Sequence, residues 1–496
     1  MATDVVNQKS KVVKLPLGKR KMLIGGELVG SVSGRWLESI NPADEQYLGE
    51  VPRGDKDDVE LAYKAAAKAQ PAWAGLAPSK RADYLRKLAD ALEARGEEAL
   101  HIEVLDTGNT IAKMRFDLGS GCETLRFYAG IAYEMKGQTI PASPGNLHLT
   151  VREPYGVVGR IIPFNHPLMF SIAKMAAPLM AGNTVIVKPS EQSPLSASIL
   201  AEECARVLPP GVVNIVTGLG IEAGDAIVRH PKIKRLAFTG SAKTGMAIQK
   251  AAAEVAIKVF SLELGGKNPM IVFPDVDPDK AVTGAIAGMN FAWQGQSCGS
   301  TSRLFLHESI HDVVLERLVK KVAALKLGEP LDETSEMGPI NSKAQYEKVM
   351  YYIKAGQEDG ARLMTGGKRP AGKQFEKGFW VEPTVFADVK PDMRIAREEI
   401  FGPVLSVFKW KDIDQCLEIA NGVEYGLTGA VWTNNLQTAI KTAMRVQSGY
   451  VWINGTSAHF KGTPFGGYRN SGIGREEATD ELHSYTEEKS IHIMLG

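Results

Sequence analysis

Five short β-branched runs, each followed by a helical pattern, dominate the middle of the chain. They are VVGRII at 157–162, TVIVK at 184–188, VVNIV at 212–216, RLAFT at 235–239 and IKVFSL at 257–262. Strand–helix–strand order makes neighbouring strands parallel and joins them by right-handed crossovers. Parallel strands covered on both faces read as unbroken apolar runs, and these do. The pattern predicts an α/β fold with a doubly wound sheet, whose ligands bind beyond the carboxyl ends of the strands. Further runs at 404–408 (VLSVF), 428–432 (TGAVW) and 450–453 (YVWI) predict a second α/β region from about 270 to 470.

Before these runs the chain is mostly helical, to about residue 135. Asp55 is placed to cap a helix through Val59, Ala62 and Ala66. Ser79 is placed to cap another, with Leu85, Leu88 and Leu92 on one face and Gly96 past its end. Residues 140–155 read as a hairpin turning at Pro144-Gly145-Asn146. The tail YTEEKSIHIML alternates like one more strand, with no partner nearby in sequence. A lone strand and a lone hairpin predict pairing across subunits.

Composition narrows the function. Lys and Arg total 58 and Asp and Glu 57, so bulk charge gives no reason to expect a nucleic-acid partner. Hydrophobic residues are 44% and charged residues 23%, which excludes global disorder. Four cysteines, at 122, 204, 298 and 416, are too scattered for a disulfide scaffold or a CxxC metal site, and the nine histidines show no metal-ligand spacing. No metal is expected. No apolar core follows Met1, and the apolar stretch from Met169 to Val187 is broken by Lys174 and Asn183, so neither a signal peptide nor a membrane span is expected. The basic arm Lys9, Lys11, Lys14, Lys19, Arg20 and Lys21 reads as a solvated tail, and the expected location is cytoplasmic. Fifty glycines in 496 residues exceed the usual ~7% and point to tight turns or close approach to a ligand.

Several segments carry chemistry. Phe238-Thr239-Gly240-Ser241 ends a strand and opens a helix, where backbone amides attract phosphate. Gly218, Gly220 and Gly224 give GxGxxxG, one residue longer than the dinucleotide fingerprint, and read as a turn and close-packing device. Lys188 and Glu191 fall at a strand end, where a carboxylate accepts ribose hydroxyls and repels a 2′-phosphate. Cys298 lies among small polar residues, unlike Cys204, which shares an apolar helical face with Leu200 and Val207. Glu263, between two leucines at a strand end, is expected to be desolvated and raised toward a useful general base. Asn165, pinned in Pro163-Phe164-Asn165-His166-Pro167, offers a fixed amide for an oxyanion.

Taken together and in order, PFNHP (163–167), KPSEQSP (188–194), FTGS (238–241), LELGGK (262–267), GQSC (295–298), EEIFGPV (398–404) and PFGGYRNSGIGRE (464–476) resemble the aldehyde dehydrogenase superfamily. The resemblance runs from about residue 20 to the end of the chain. One departure is Ser300, where the family more often has Ala or Asn. The resemblance implies Cys298 as nucleophile, Asn165 and the Cys298 amide as oxyanion donors, and Glu263 as general base. It implies NAD, with NADP possible, held by Lys188, Glu191, Thr239, Gly240 and Ser241, and by Glu399 with Phe401 packing nearby.

The same resemblance implies a Rossmann-like cofactor domain (1–138 and 156–265), a catalytic domain (266–470) and a small β oligomerisation arm (139–155 and 471–496) joining a homodimer or homotetramer. By the family pattern the substrate tunnel is lined near Ser120, Phe170, Ala173, Trp293, Ser297, Thr456, Ser457 and His459. These small and polar side chains suggest a bulky or hydroxylated aromatic aldehyde. A semialdehyde is the alternative, with Lys461 the one nearby cation. Two further alternatives keep the fold: a coenzyme A-acylating enzyme and a non-catalytic structural member.

Overall fold

The computed structural model describes residues 15–495. Of the basic arm, Lys9, Lys11 and Lys14 lie outside the described residues. Lys19 and Arg20 are not free: they sit 3.7 Å from Glu50 and 3.6 Å from Glu202.

An eight-stranded sheet runs in the order Gly472–Ile473, Val259–Glu263, Arg235–Thr239, Val157–Ile161, Thr184–Lys188, Val213–Ile215, Met22–Ile24, Glu27–Val29. Its five central strands are the five apolar runs, all parallel. From Val157–Ile161 the chain steps outward through two strands, then returns to the opposite side at Arg235–Thr239. That reversal opens a crevice at the carboxyl ends, where such sheets bind ligands. Register brings the strand ends level: Ile161 pairs with Lys188, and Thr239 with Glu263.

The second sheet has seven strands, in the order Arg362–Thr365, Thr384–Ala387, Val404–Trp410, Arg303–His307, Pro269–Val272, Thr428–Trp432, Tyr450–Ile453. All but the first pair are parallel. Its core is built from Met270, Leu304, Leu306, Leu405 and Val407.

The helices before residue 135 cover the first sheet and depart from expectation at one junction. Asp55 caps Lys56–Ala74 through a capping box with Asp58. The next helix, however, begins at Pro78 with Ala77 as its cap, and Ser79 lies inside it. Proline suits the first helical position because its missing N–H has no partner there anyway. Gly96 lies just past the end of that helix, as expected, since the helix stops at Ala94 with Arg95 as its cap, and it also opens Gly96–Thr107. A Cβ at Gly96 would come within 3.3 Å of Leu118, so the glycine serves helix packing.

The expected hairpin is present, with Thr139–Ile140 paired to Leu147–Pro154. The expected pairing of the tail across subunits is corrected: Thr486–Ile493 pairs antiparallel with Leu147–Pro154 of its own chain, from Thr486↔Pro154 to Ile493↔Leu147. Before reaching that three-stranded arm, residues 472–473 edge the first sheet and Thr479–Ser484 packs on the helix Pro167–Met180. The sequence distance between tail and hairpin hid a partner that folding brings into the same chain. Among the described residues no helix is long and apolar enough to cross a membrane.

Candidate active site

A cavity of about 750 Å³ opens at the crevice of the first sheet and reaches the second. Its wall holds Asn165, Glu263 and Cys298 as one group and Lys188 and Glu191 as another, with the Thr239-Gly240-Ser241 turn beside Glu263, and Glu399 and Phe401 also lining it. Every predicted catalytic and cofactor residue therefore faces one space.

Cys298 is half-buried in the loop before the strand Arg303–His307. Its carbonyl accepts the Asn268 side-chain amide at 2.7 Å, and the same amide donates to Ser300 at 2.9 Å. Asn268 in turn accepts the Thr428 N–H at 3.0 Å. A Cβ on Gly266 would approach the Cys298 carbonyl to 2.8 Å, so the glycine of LGGK lets the two loops meet. Burial pushes the thiol up to about 12, helped by the Glu263 and Glu399 charges and opposed by Lys174.

Asn165 is buried before the helix Pro167–Met180. Its side-chain amide donates to the Gln296 carbonyl at 3.0 Å, which leaves the second N–H for another acceptor. Its own carbonyl accepts the Asn109 amide at 2.9 Å. Asn165 is thus held from both sides, one contact reaching within two residues of Cys298.

Glu263 is 4% exposed at the end of its strand, and neither carboxylate oxygen has a hydrogen-bond partner. Burial, and next the Glu476 charge, raise it well above the usual carboxylate range, while Lys174 opposes. Glu476 behaves oppositely despite equal burial. It bonds Lys174 and, at 3.0 Å, Arg160, and these cations hold it well below that range.

The other set is prepared differently. Lys188 is buried and donates to the Pro189 carbonyl at 2.7 Å and to Glu191 at 3.1 Å. The second oxygen of Glu191 accepts the Gly220 N–H at 3.2 Å. Gly218 and Gly220 do act as turn and packing residues: Gly218 has φ +150°, and Gly220–Gly224 forms one π-helical turn against this pair. Ser241 caps the helix Ala242–Ala253 through the Thr244 N–H. A side chain on Gly240 would run into the Phe238 ring.

Glu399 accepts the Gly266 N–H at 2.9 Å, and a Cβ on Gly265 would fall on its carboxylate. Phe401 has φ +57°, held by Gln345, which donates to the carbonyls of Ile400 and Phe401 at 3.1 and 2.6 Å. Its ring meets Phe164 edge-on at 5.7 Å.

Of the predicted tunnel residues only Phe170 lines this cavity. Trp293 packs on His166 at 5.6 Å, under the Lys113 ammonium. His459 is exposed, pairs with the more buried Glu477 at 3.0 Å and stacks on Tyr450. Ser120 accepts a hydrogen bond from Lys461 at 3.4 Å. Ser297 is half-buried beside Cys298, and Ser457 is half-buried with φ +58°. Ala173 and Thr456 are likewise half-buried outside the cavity wall.

The sequence reading missed Asn268, Asn109, Gln345 and the pairing of Lys174 with Glu476. Lys174 did carry a signal, since a cation inside an apolar helix must find a buried partner.

The model for the aldehyde dehydrogenase family matches residues 29–491. The chain belongs to this family. Aldehyde dehydrogenase tropH of Talaromyces stipitatus is 46% identical over 466 residues, covering 92% of this chain and 90% of that one. The NAD+ complex of aldehyde dehydrogenase from Bacillus cereus is 42% identical with a TM-score of 0.93, covering 96% of both chains. PnpE from Pseudomonas sp. WBC-3, in complex with nicotinamide adenine dinucleotide, is 40% identical with a TM-score of 0.94, covering 96% of this chain and 98% of that one. This aldehyde dehydrogenase shares their α/β fold along nearly its whole length.

Proposed function

We propose that the enzyme oxidises an aldehyde to its carboxylic acid with NAD, through a covalent intermediate on Cys298. The observation that carries this is the shared cavity: a thiol, an anchored amide and an unpartnered carboxylate as one set, and a phosphate- and diol-binding set as another.

The second set fits a dinucleotide. Lys188 and Glu191 suit ribose hydroxyls, Ser241 and the following helix N-terminus suit a diphosphate, and Gly220 and Gly224 line the cavity against Glu191 and Lys188. Glu399 and Phe401 would hold the second ribose and the ring. When bound, NAD supplies the acceptor for a hydride.

The chain's own residues do the rest. Cys298 Sγ loses its proton and adds to the aldehyde carbon, giving a tetrahedral hemithioacetal. Asn165 and the Cys298 amide hold the oxyanion, and losing one such donor typically costs about 3–4 kcal/mol. Once the carbon is oxidised a thioester remains on Cys298. Glu263 then takes a proton from water, which attacks the thioester carbon and releases the acid and the thiol. Water rather than coenzyme A is favoured as acceptor because Glu263 is present, buried and unpartnered. The intact set of Cys298, Asn165, Glu263 and Glu399 favours catalysis over a purely structural role.

We place cofactor binding in 1–138 and 156–265, catalysis in 266–470, and subunit contacts in the arm. The arm's sheet ends on Thr486–Ile493, whose outer edge has no strand beside it among the described residues and whose side chains are mostly exposed. That edge supports a homodimer or homotetramer. For the substrate we favour a bulky or hydroxylated aromatic aldehyde, supported by Phe170 in the cavity wall. Ultraviolet absorbance of NADH, followed over a panel of aldehydes with and without coenzyme A, tests the reading. It stands if NADH forms without coenzyme A and falls if no aldehyde yields NADH.

A further inference from the structure

Lys461 is a half-buried cation whose hydrogen bonds go only to neutral groups. Its ammonium donates to Thr124 Oγ1 at 2.7 Å and to Ser120 Oγ at 3.4 Å. No carboxylate among the described residues pairs with it within 4.0 Å. Glu477, the carboxylate that acts on it most strongly, is bonded to His459 at 3.0 and 3.1 Å and accepts no bond from Lys461. A hydroxyl can order an ammonium but cannot neutralise it, and a partly buried charge without a counter-ion is costly. Burial accordingly lowers the Lys461 ammonium from its usual value.

The place of this cation matters. Ser120 and Thr124 belong to the helix Ile111–Gly130, which packs closely on Pro167–Met180. That second helix supplies Phe170 to the cavity wall, and Lys174 sits 5.3 Å over the Phe170 ring. The Lys174 charge acts on both Cys298 and Lys461. Lys461 therefore stands beside the helix pair that carries Phe170, with exposed residues on either side of it in the chain.

We propose that Lys461, Ser120 and Thr124 form an anion subsite that receives a carboxylate or an ionised phenol carried by the aldehyde at the end far from its carbonyl. The inference rests on the aldehyde-oxidising reading above and narrows its substrate class. An oxyanion there gains the Lys461 charge and the Ser120 hydroxyl donor, while Thr124, whose own O–H donates to the Ser120 carbonyl at 2.8 Å, orders the ammonium.

The test compares matched pairs: 4-carboxybenzaldehyde against 4-methylbenzaldehyde, and ω-oxo acids of increasing length against the corresponding alkanals. In the unaltered enzyme the anionic member of at least one pair should have the higher kcat/KM. Lys461→Met should lower the anionic-to-neutral ratio ten- to hundredfold, mainly through KM, and Lys461→Arg should largely restore it. Thr124→Val should lower the ratio in the same direction by a smaller factor, which covers the case in which the Lys461→Met chain does not fold. Calorimetric binding of terephthalate against 4-methylbenzoate gives a second readout that needs no turnover. A neutral preference in every pair, or a Lys461→Met ratio equal to that of the unaltered enzyme, overturns the subsite and leaves aldehyde oxidation standing. Absence of NADH with every aldehyde overturns the oxidation reading instead, and calorimetry then decides the subsite alone.

Discussion

The two sets of residues in the cavity wall treat charge in opposite ways. In the Lys188–Glu191 set each charged group already has a partner inside the chain, and Gly220 adds a backbone donor. In the Cys298–Glu263 set neither oxygen of Glu263 has a partner, and burial raises both groups away from ionisation. A set that only binds gains by being ordered before the ligand arrives. A set that moves protons must contain groups whose two protonation states are both reachable. The contrast between Glu263 and Glu476 makes the point at close range. Both are buried, yet Glu476 is fixed as a carboxylate by Lys174 and Arg160 while Glu263 is left to change.

The sharpest break of this comparison is Cys298→Ala. It should abolish aldehyde oxidation, by at least about 10⁴-fold as for other covalent nucleophiles, while cofactor binding and the thermal transition stay unchanged. The other three cysteines are buried in cores and cannot substitute for it. Steady-state NADH formation and calorimetric NAD binding check it; measurable turnover in the variant would remove Cys298 from the mechanism.

Glu263→Gln comes next. The amide keeps the shape but cannot take a proton from water, and loss of a general base typically costs about 10²–10⁴-fold. A burst of NADH followed by a slow steady state is expected, with thioester accumulating on Cys298; equal slowing of burst and steady state would place Glu263 before acylation. pH sharpens the same point. The working form of Glu263 is the carboxylate, and its value is raised, so its active fraction still grows with pH above the range where an exposed glutamate is fully ionised. Deacylation should therefore speed up as pH rises toward that raised value, then level off, and the rise should vanish in Glu263→Gln. Single-turnover kinetics between pH 5 and 9 measure it (a window set by ~4.3 for an ordinary Glu and the upward shift).

What the sequence made legible follows from what kind of interaction each feature depends on. The five parallel strands appear within one or two residues of their apolar runs, because a strand buried on both faces writes its limits into local hydrophobicity. The start of the second helix was misread, because Ser79 looks like a cap while Pro78 already occupies the first helical position; its end, just before Gly96, was read correctly. Residues 486–493 were read as a strand but given the wrong partner, since pairing with 147–154 is a tertiary choice. That Cys298, Glu263 and Asn165 belong together was suggested by short motifs, and the three line one cavity. Their supports, Asn268, Asn109 and Gln345, were not legible, because each is an amide whose partners come from distant segments. For the tunnel residues inferred from family pattern the motifs did not foretell the contacts seen: Trp293 lies under Lys113, Ser120 accepts from Lys461 and His459 pairs with Glu477.

The mildest change tests the binding set. A carboxylate at Glu191 accepts ribose hydroxyls and repels the extra phosphate of NADP, so the unaltered enzyme should have a higher kcat/KM with NAD. The repulsion is limited, because Glu191 is already paired with Lys188 and its side chain is 37% exposed, where water screens it. Glu191→Gln removes the charge while its amide oxygen can still accept the Gly220 N–H. It also frees the Lys188 ammonium from its ion pair, leaving a cation for a 2′-phosphate. Both effects act in one direction, and the NADP-to-NAD ratio of kcat/KM should rise about tenfold, equivalent to roughly 1.4 kcal/mol. Catalytic steps at the Cys298–Glu263 set should keep their ratio of burst to steady state. If NADP already equals NAD in the unaltered enzyme, or if Glu191→Gln leaves the ratio where it was, the Lys188–Glu191 pair is a structural tie, and the contrast between a prepared binding set and an unpaired chemical set loses its first half.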